Sequence, residues 1–234
     1  MEDAPLASLS LTHVHYNPHD PLSHISAYLA LVPQALMITY VSLIWGTREI
    51  EIALMFAGQL GCEGLNWMLK RYIEEERPTQ MHGKGYGMPS SHAQFVAYFS
   101  TFLTLFVLLR HNPHHPHTST THIPTPYWQR SALAVLSLLC VGAVAQSRIY
   151  LGYHTPRQVY AGVAAGVICA VGWFVVTSLA RRLGMVDWIL DLPLVRWMRF
   201  RDLVVNEDLV DPGWERWELR RQKRVAALEG KKAI

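Results

Sequence analysis

Two histidines, three cations and three serines stand at spacings that suit work on phosphorus. They fall in three short runs: Lys70-x6-Arg77-Pro78, then Pro89-Ser90-Ser91-His92, then Ser147-Arg148-x5-His154. A phosphoryl group in transit spreads negative charge over its oxygens, and fixed cations stabilise that charge as it develops. Arginine suits a bidentate grip on phosphate and lysine a point contact. That gives Lys70, Arg77 and Arg148 an expected role. A neutral imidazole can attack phosphorus and carry the group as a phosphohistidine. A second, protonated imidazole can give a proton to the departing oxygen. His154 and His92 fit these two parts. The opposite protonation states they need predict a bell-shaped dependence of rate on pH. Plainer readings stand beside these. His154 also fits an interfacial histidine, Pro-Ser-Ser a mere helix start, and the cations headgroup anchors.

Such residues must be held by something, and the chain supplies long apolar blocks. It has 234 residues, half of them hydrophobic. Five blocks read as spans: Ser26–Trp45, Ile50–Leu69, Ala93–Leu109, a short one at Ser131–Ala145, and Val159–Ala180. A helix needs roughly 20 residues to cross the hydrocarbon core. The pattern therefore predicts an all-α membrane bundle of about five helices spanning 26–180, after an N-terminal segment 1–25 and before a tail 181–234. The first 25 residues hold neither Lys nor Arg and no compact apolar core, so no cleavable signal is expected there. A net charge of +3 is too small to suggest nucleic acid. Cys62, Cys140 and Cys169 fall inside spans and are expected as free thiols.

Each motif then sits at a helix end. Lys70 closes the second span, and the helix should stop between it and Pro78. Ser90 or Ser91 can cap the third span, placing His92 in a first turn whose N–H groups lack helical partners. Thr155-Pro156-Arg157-Gln158 reads as a capping box starting the fifth span, just after His154. Glu63, Asn66 and Lys70 share one helical face. Glu63 either holds Lys70 or lines the pocket. Glu74-Glu75-Glu76 reads as a solvated loop able to balance local charge. Gly162-x3-Gly166 reads as a close-packing face.

With five spans, residues 1–25 and all three motifs share one membrane face, and the tail lies on the other. The tail is rich in Lys and Arg, which places it in the cytosol and the motifs in the lumen or exterior. Its Trp188, Trp197, Trp214 and Trp217 among arginines suit a segment lying at headgroup level. Lys231 and Lys232 near the C-terminus resemble a dilysine retrieval signal for the endoplasmic reticulum, read by coat proteins. The loop Arg110–Arg130 carries His111, His114, His115, His117 and His122 without Cys or acidic company. It reads as a solvated linker rather than a metal site.

Taken together and in order, the three runs resemble the pattern K-x6-RP, PSGH, SR-x5-H-x3-D of the type 2 phosphatidic acid phosphatase superfamily of membrane phosphatases. The resemblance implies a helical bundle and a metal-independent phosphohistidine mechanism with no cofactor. It implies His154 as nucleophile, His92 as general acid, and Lys70, Arg77, Ser91 and Arg148 as phosphate-binding residues. Ser90, Gln158, Glu63 and Asn66 stand in support. Ser91 replaces the family's glycine, so only its backbone N–H carries over. Gln158 replaces the family's Asp, and its carbonyl can orient the imidazole without adding charge. The runs Tyr86–Phe95 and Ser147–Val159, with Phe200-Arg201-Asp202, resemble the eukaryotic branch that acts on dolichyl diphosphate. That implies hydrolysis of a phosphoric anhydride in the endoplasmic reticulum membrane, with dolichyl phosphate returning to N-glycosylation. The alternatives are a phosphatase for phosphatidic acid or a sphingoid phosphate, a lipid-binding protein of weak catalytic power, and, with less in its favour, a transporter.

Overall fold

The structure, a computed structural model, describes residues 7–9, 14–78, 85–113 and 124–232. Strands β1 (Ala7–Leu9) and β2 (Val14–Tyr16) form a small antiparallel ribbon. The helices that follow are α1 (Pro21–Leu29), α2 (Val32–Thr47), α3 (Ile50–Ile73), α4 (Ser91–Leu105), α5 (Tyr127–Tyr150) and α6 (Pro156–Arg182). A π-helical turn, Phe106–Arg110, extends α4. Short helices α7 (Met185–Asp191) and α8 (Pro193–Trp197) lead to α9 (Asp211–Lys232).

Four of these stretches are long and apolar enough to cross a membrane: Pro21–Thr47, Ser91–Arg110, Tyr127–Tyr150 and Pro156–Arg182. The helix α3 is long enough, about 36 Å at 1.5 Å per residue, but carries Glu51, Gln59, Glu63, Asn66 and Lys70. Ridges of exposed Ile38, Val41, Trp45, Leu136, Ile168 and Val175 cover the outside. Their number fits lipid as the surrounding solvent and not water. The protein is thus an all-α membrane bundle. The first span begins earlier than expected, at Pro21. It breaks at Ala30–Leu31, where Pro33 removes the N–H that would bind Leu29. The fourth span is not short: α5 takes in polar Gln129, Arg130, Ser147 and Arg148 at its ends.

The centre of the bundle is α4. Half of its apolar window is buried in protein, against 17–22% for the other three spans. One core joins Tyr40, Met55, Cys62, Tyr98, Phe102 and Ala170, and a second joins Phe95, Val96 and Val144. The three cysteines are free. The expected glycine face is real and sets how α6 meets α4. A Cβ on Gly162 would lie 2.6 Å from the Ser90 carbonyl oxygen, and one on Gly166 would lie 2.4 Å from that of Gln94.

The two ends of the bundle differ in electrostatics. At one end Glu51, 2% exposed, is paired with both Arg110 and Arg181, and Arg181 with Asp202. Beside them Arg201 Nε donates to Glu49 at 2.7 Å, and the N–H groups of Leu203 and Val204 donate to the same carboxylate. The start of the tail is therefore pinned to the bundle by buried charge. His111 joins this end. It is 8% exposed, bonded through Nδ1 to the Val204 carbonyl and through Nε2 to Asp208. The reading of His111 as part of a solvated linker was wrong, because nothing in its local sequence points to Asp208, far along the chain. His114, His115, His117 and His122 lie outside the described residues.

Candidate active site

The other end of the bundle gathers the three motifs. Helix α3 stops at Ile73, with Glu74 in the left-handed conformation at φ 51°, and the chain turns back through Arg77-Pro78. Lys70, in its last turn, lies 3.5 Å by Nζ from Ser91 Oγ. Ser90 is the N-cap of α4, but its side chain makes no capping bond, and its buried hydroxyl has no partner. The first-turn N–H groups of α4 are thus not capped by a side chain. His92 stands in that turn, its Nε2 3.2 Å from the Ala30 carbonyl. A carbonyl only accepts, so Nε2 carries a hydrogen. The positive charges of Arg148 and Lys70 act on this ring.

Arg148, near the end of α5, is 1% exposed. Its guanidinium donates to the Ser26 carbonyl at 3.3 Å and to Ser147 Oγ at 3.4 Å, and lies 5.3 Å from the Tyr153 ring. The chain turns at Gly152, whose φ of +70° favours glycine, and the N–H groups of Tyr153 and His154 both return to the Arg148 carbonyl. His154 is therefore set 5% exposed at the N-terminus of α6. Burial, then the positive charge of Arg77, push its imidazole down to about 4, with Lys70 and Arg148 adding to the effect. It is neutral at physiological pH.

The capping box is present as expected, with Thr155 Oγ1 accepting from Gln158 N and Gln158 Oε1 accepting from Thr155 N. The same Oε1 lies 3.3 Å from His154 Nδ1. Gln158 thus caps the helix and orients the ring at once. Because the amide oxygen can only accept, Nδ1 holds the ring hydrogen and Nε2 presents its lone pair. On the far side, Gln158 Nε2 donates to Glu75 Oε1 at 3.0 Å and to the Glu76 carbonyl at 2.8 Å. Glu74 and Glu76 are exposed as the sequence suggested, but Glu75 is only partly so, its side chain about 30% exposed, because the turn after α3 points it at Gln158. Nothing in Glu74-Glu75-Glu76 marks which carboxylate faces inward. Gly87 is required beside this amide, since a Cβ there would lie 2.7 Å from Gln158 Nε2.

The remaining expected residues sit further back. Asn66 donates to Gln94 Oε1 at 2.7 Å and reaches toward the Pro89 carbonyl at 3.5 Å, so it props the loop before α4. Glu63 makes no direct ion pair with Lys70 among the described residues, and its Oε1 is buried without a hydrogen-bond partner. Sequence reasoning missed the Ser26 and Ala30 carbonyls. They come from α1 and the break after it, and a backbone acceptor has no residue-type signature.

One contrast defines the site. Among the described residues Lys70, Arg77 and Arg148 have no carboxylate partner, and the buried Arg77 Nε has no partner at all. The arginines buried at the other end, Arg110 and Arg181, are paired. A buried cation is costly unless an anion faces it. Such an arrangement can take up an anion.

Residues 52–182, which include all three motifs, match the family described as the PAP2 superfamily. The chain belongs to the PAP2 superfamily. Among curated PAP2-like relatives, a protein of Neurospora crassa named "Putative dolichyldiphosphatase" is 49% identical, over 98% of this chain and 98% of that one. "Dolichyldiphosphatase 1" of Homo sapiens is 38% identical over 73% of this chain and 71% of its own. Among solved structures, a transmembrane PAP2-type phosphatidylglycerolphosphate phosphatase from Bacillus subtilis aligns with a TM-score of 0.49 at 21% identity. That alignment covers 69% of this chain and 74% of the other.

Proposed function

We propose that this PAP2 protein hydrolyses dolichyl diphosphate to dolichyl phosphate and inorganic phosphate through a phosphohistidine. The observation that carries the reading is the cluster of three cations that, among the described residues, form no ion pair with a carboxylate, gathered around two imidazoles, one held neutral. The names of the curated relatives support the choice of lipid.

The terminal phosphate of the diphosphate sits among Lys70, Arg77, Arg148 and the N–H groups at the start of α4, including that of Ser91. The lone pair on His154 Nε2 attacks phosphorus. The bond from phosphorus to the bridging oxygen breaks, its electron pair leaving on dolichyl phosphate. His92 gives that oxygen a proton. With Nε2–H fixed on the Ala30 carbonyl, Nδ1 is the nitrogen that gains and loses the exchangeable proton. In the second step His92 takes a proton from water, the hydroxide attacks phosphorus, and the N–P bond returns its pair to His154. The cations meet the charge on the equatorial oxygens in both steps. Gln158 fixes the nucleophile's tautomer. No step draws on a metal or cofactor.

The reading also covers sidedness. Asp20 accepts from Tyr150 at the site end, while Glu49 holds Arg201 at the other. Glu51 and Lys70 are about 28 Å apart along α3. We place the site end in the lumen of the endoplasmic reticulum and the basic tail in the cytosol, where coat proteins can read Lys231 and Lys232. Exposed Trp214 and Trp217, ring centroids 4.9 Å apart on α9, suit a lipid surface beside that face.

Phosphate release by the purified protein in detergent with excess EDTA tests the function. Dolichyl diphosphate, dolichyl phosphate and phosphatidic acid are compared, with His154→Ala as control. Release chiefly from the diphosphate, lost in the variant, is expected. Equal release from phosphatidic acid would replace the dolichyl assignment with a broad lipid phosphatase.

A further inference from the structure

The oxygen that holds the nucleophile's ring is neutral, but the group behind it is charged. His154 Nδ1, Gln158 Oε1, Gln158 Nε2 and Glu75 Oε1 form one chain, with links of 3.3 and 3.0 Å. Gln158 is fully buried, and the Glu76 carbonyl holds the same amide nitrogen at 2.8 Å, so the amide cannot turn over without placing its oxygen against two acceptors. Gly87 closes the remaining side. A hydrogen bond is strengthened when a charged acceptor polarises the next one in a chain. We propose that Glu75 is a positioning residue. Through the Gln158 amide it supplies the negative charge that stabilises the His154 ring when attack on phosphorus makes that ring cationic.

The proposal rests on His154 as nucleophile. It gives Gln158 a purpose beyond capping: it relays a carboxylate that the imidazole does not touch. It also explains why the turn after α3 is shaped as it is, with Gly87 N–H bonded to the Glu75 carbonyl at 2.7 Å. The groups facing Glu75 are Gln158 and, at 4.0 Å and largely exposed, Arg157. Those acting on His154 are Arg77, Lys70, Arg148 and Gln158.

The test compares Glu75→Gln, Glu75→Ala, Gln158→Leu, the double variant Glu75→Gln/Gln158→Leu, and His154→Ala, all on dolichyl diphosphate in detergent. Glu75→Gln keeps an acceptor of the same shape and removes only charge. A relay predicts that Glu75→Gln and Glu75→Ala each lose roughly 5–30-fold in kcat, the difference between a charged and a neutral acceptor. KM should hardly move. The acid limb of kcat/KM should shift to lower pH, since a ring with a weaker acceptor holds its second proton less tightly. The double variant should be no slower than Gln158→Leu alone. Wild-type kcat in Glu75→Gln, or losses that add in the double variant, would overturn the relay and leave a structural bond. An active His154→Ala would instead remove the nucleophile assignment itself, and the relay with it.

Discussion

Replacing Arg148 by methionine should make the unliganded protein more stable and inactive at once. The guanidinium is 1% exposed and faces no carboxylate. Holding a cation dry costs several kcal/mol after relaxation. Against that stand two long hydrogen bonds, to Ser26 O at 3.3 Å and Ser147 Oγ at 3.4 Å, together worth about 1–2 kcal/mol. Contact with the Tyr153 ring at 5.3 Å adds about 1 kcal/mol. Methionine fills similar volume without charge, so the balance favours the variant by about 1–3 kcal/mol. For a chain of this size each kcal/mol moves Tm by about 2–4 °C. Arg148→Met should therefore melt several degrees higher in detergent. Wild type should be stabilised by phosphate or vanadate, by about 2.7 kcal/mol at a hundredfold excess over Kd; the variant should gain little. Its kcat should fall about 10²–10³-fold. A variant that melts lower than wild type, yet still rises with phosphate, would refute the reasoning that Arg148 waits for an anion.

Further consequences follow from the same geometry. In the free protein, NMR of labelled histidine should find His154 neutral down to about pH 4. Because the folded value is depressed below the ordinary one, near 6.5, stability contributed by the neutral ring is lost as pH falls from about 6.5 toward 4. A ring titrating at its ordinary value would contradict the pocket's charge, and Arg77→Met should raise it. Gly162→Ala drives a Cβ to 2.6 Å from the Ser90 carbonyl, so it should cost about 1–3 kcal/mol and lower activity by moving His92. Gly142→Ala, with nothing within 4 Å, should be tolerated in both assays. Glu51→Gln strips the shared charge from Arg110 and Arg181 and should cost about 3–5 kcal/mol, while molecules that still fold keep normal kcat.

Much of this was legible in the chain because it depends on short-range rules. Long apolar blocks, four of them free of charge, gave the helices, Thr155 and Gln158 gave the start of α6, and Gly162 and Gly166 gave the seam against α4. The histidines and cations declared themselves by type and spacing. What stayed hidden depends on contacts between residues distant in sequence. Glu75 reaches Gln158 across 83 positions, and His111 reaches Asp208 across 97. No local pattern separates Glu75 from its neighbours Glu74 and Glu76. The Ala30 and Ser26 carbonyls were invisible because the break that aims them comes from Pro33, and its neighbours gave no reason to place it at the site. One span end erred where a charged residue sits inside a helix: Arg148 is charged but buried in α5, past the expected end at Ala145, and hydropathy alone cannot tell a buried charge from a loop.

The most direct test of the central claim is to mix the protein with dolichyl diphosphate labelled with 32P at the terminal phosphorus, quench within one turnover and map the label. The account predicts a phosphoprotein stable to alkali and labile to acid, with the label on His154. It predicts none in His154→Ala, and a label that accumulates when His92 is replaced and water attack is slowed. Phosphate release at full rate from His154→Ala, or a label on another residue, would contradict it.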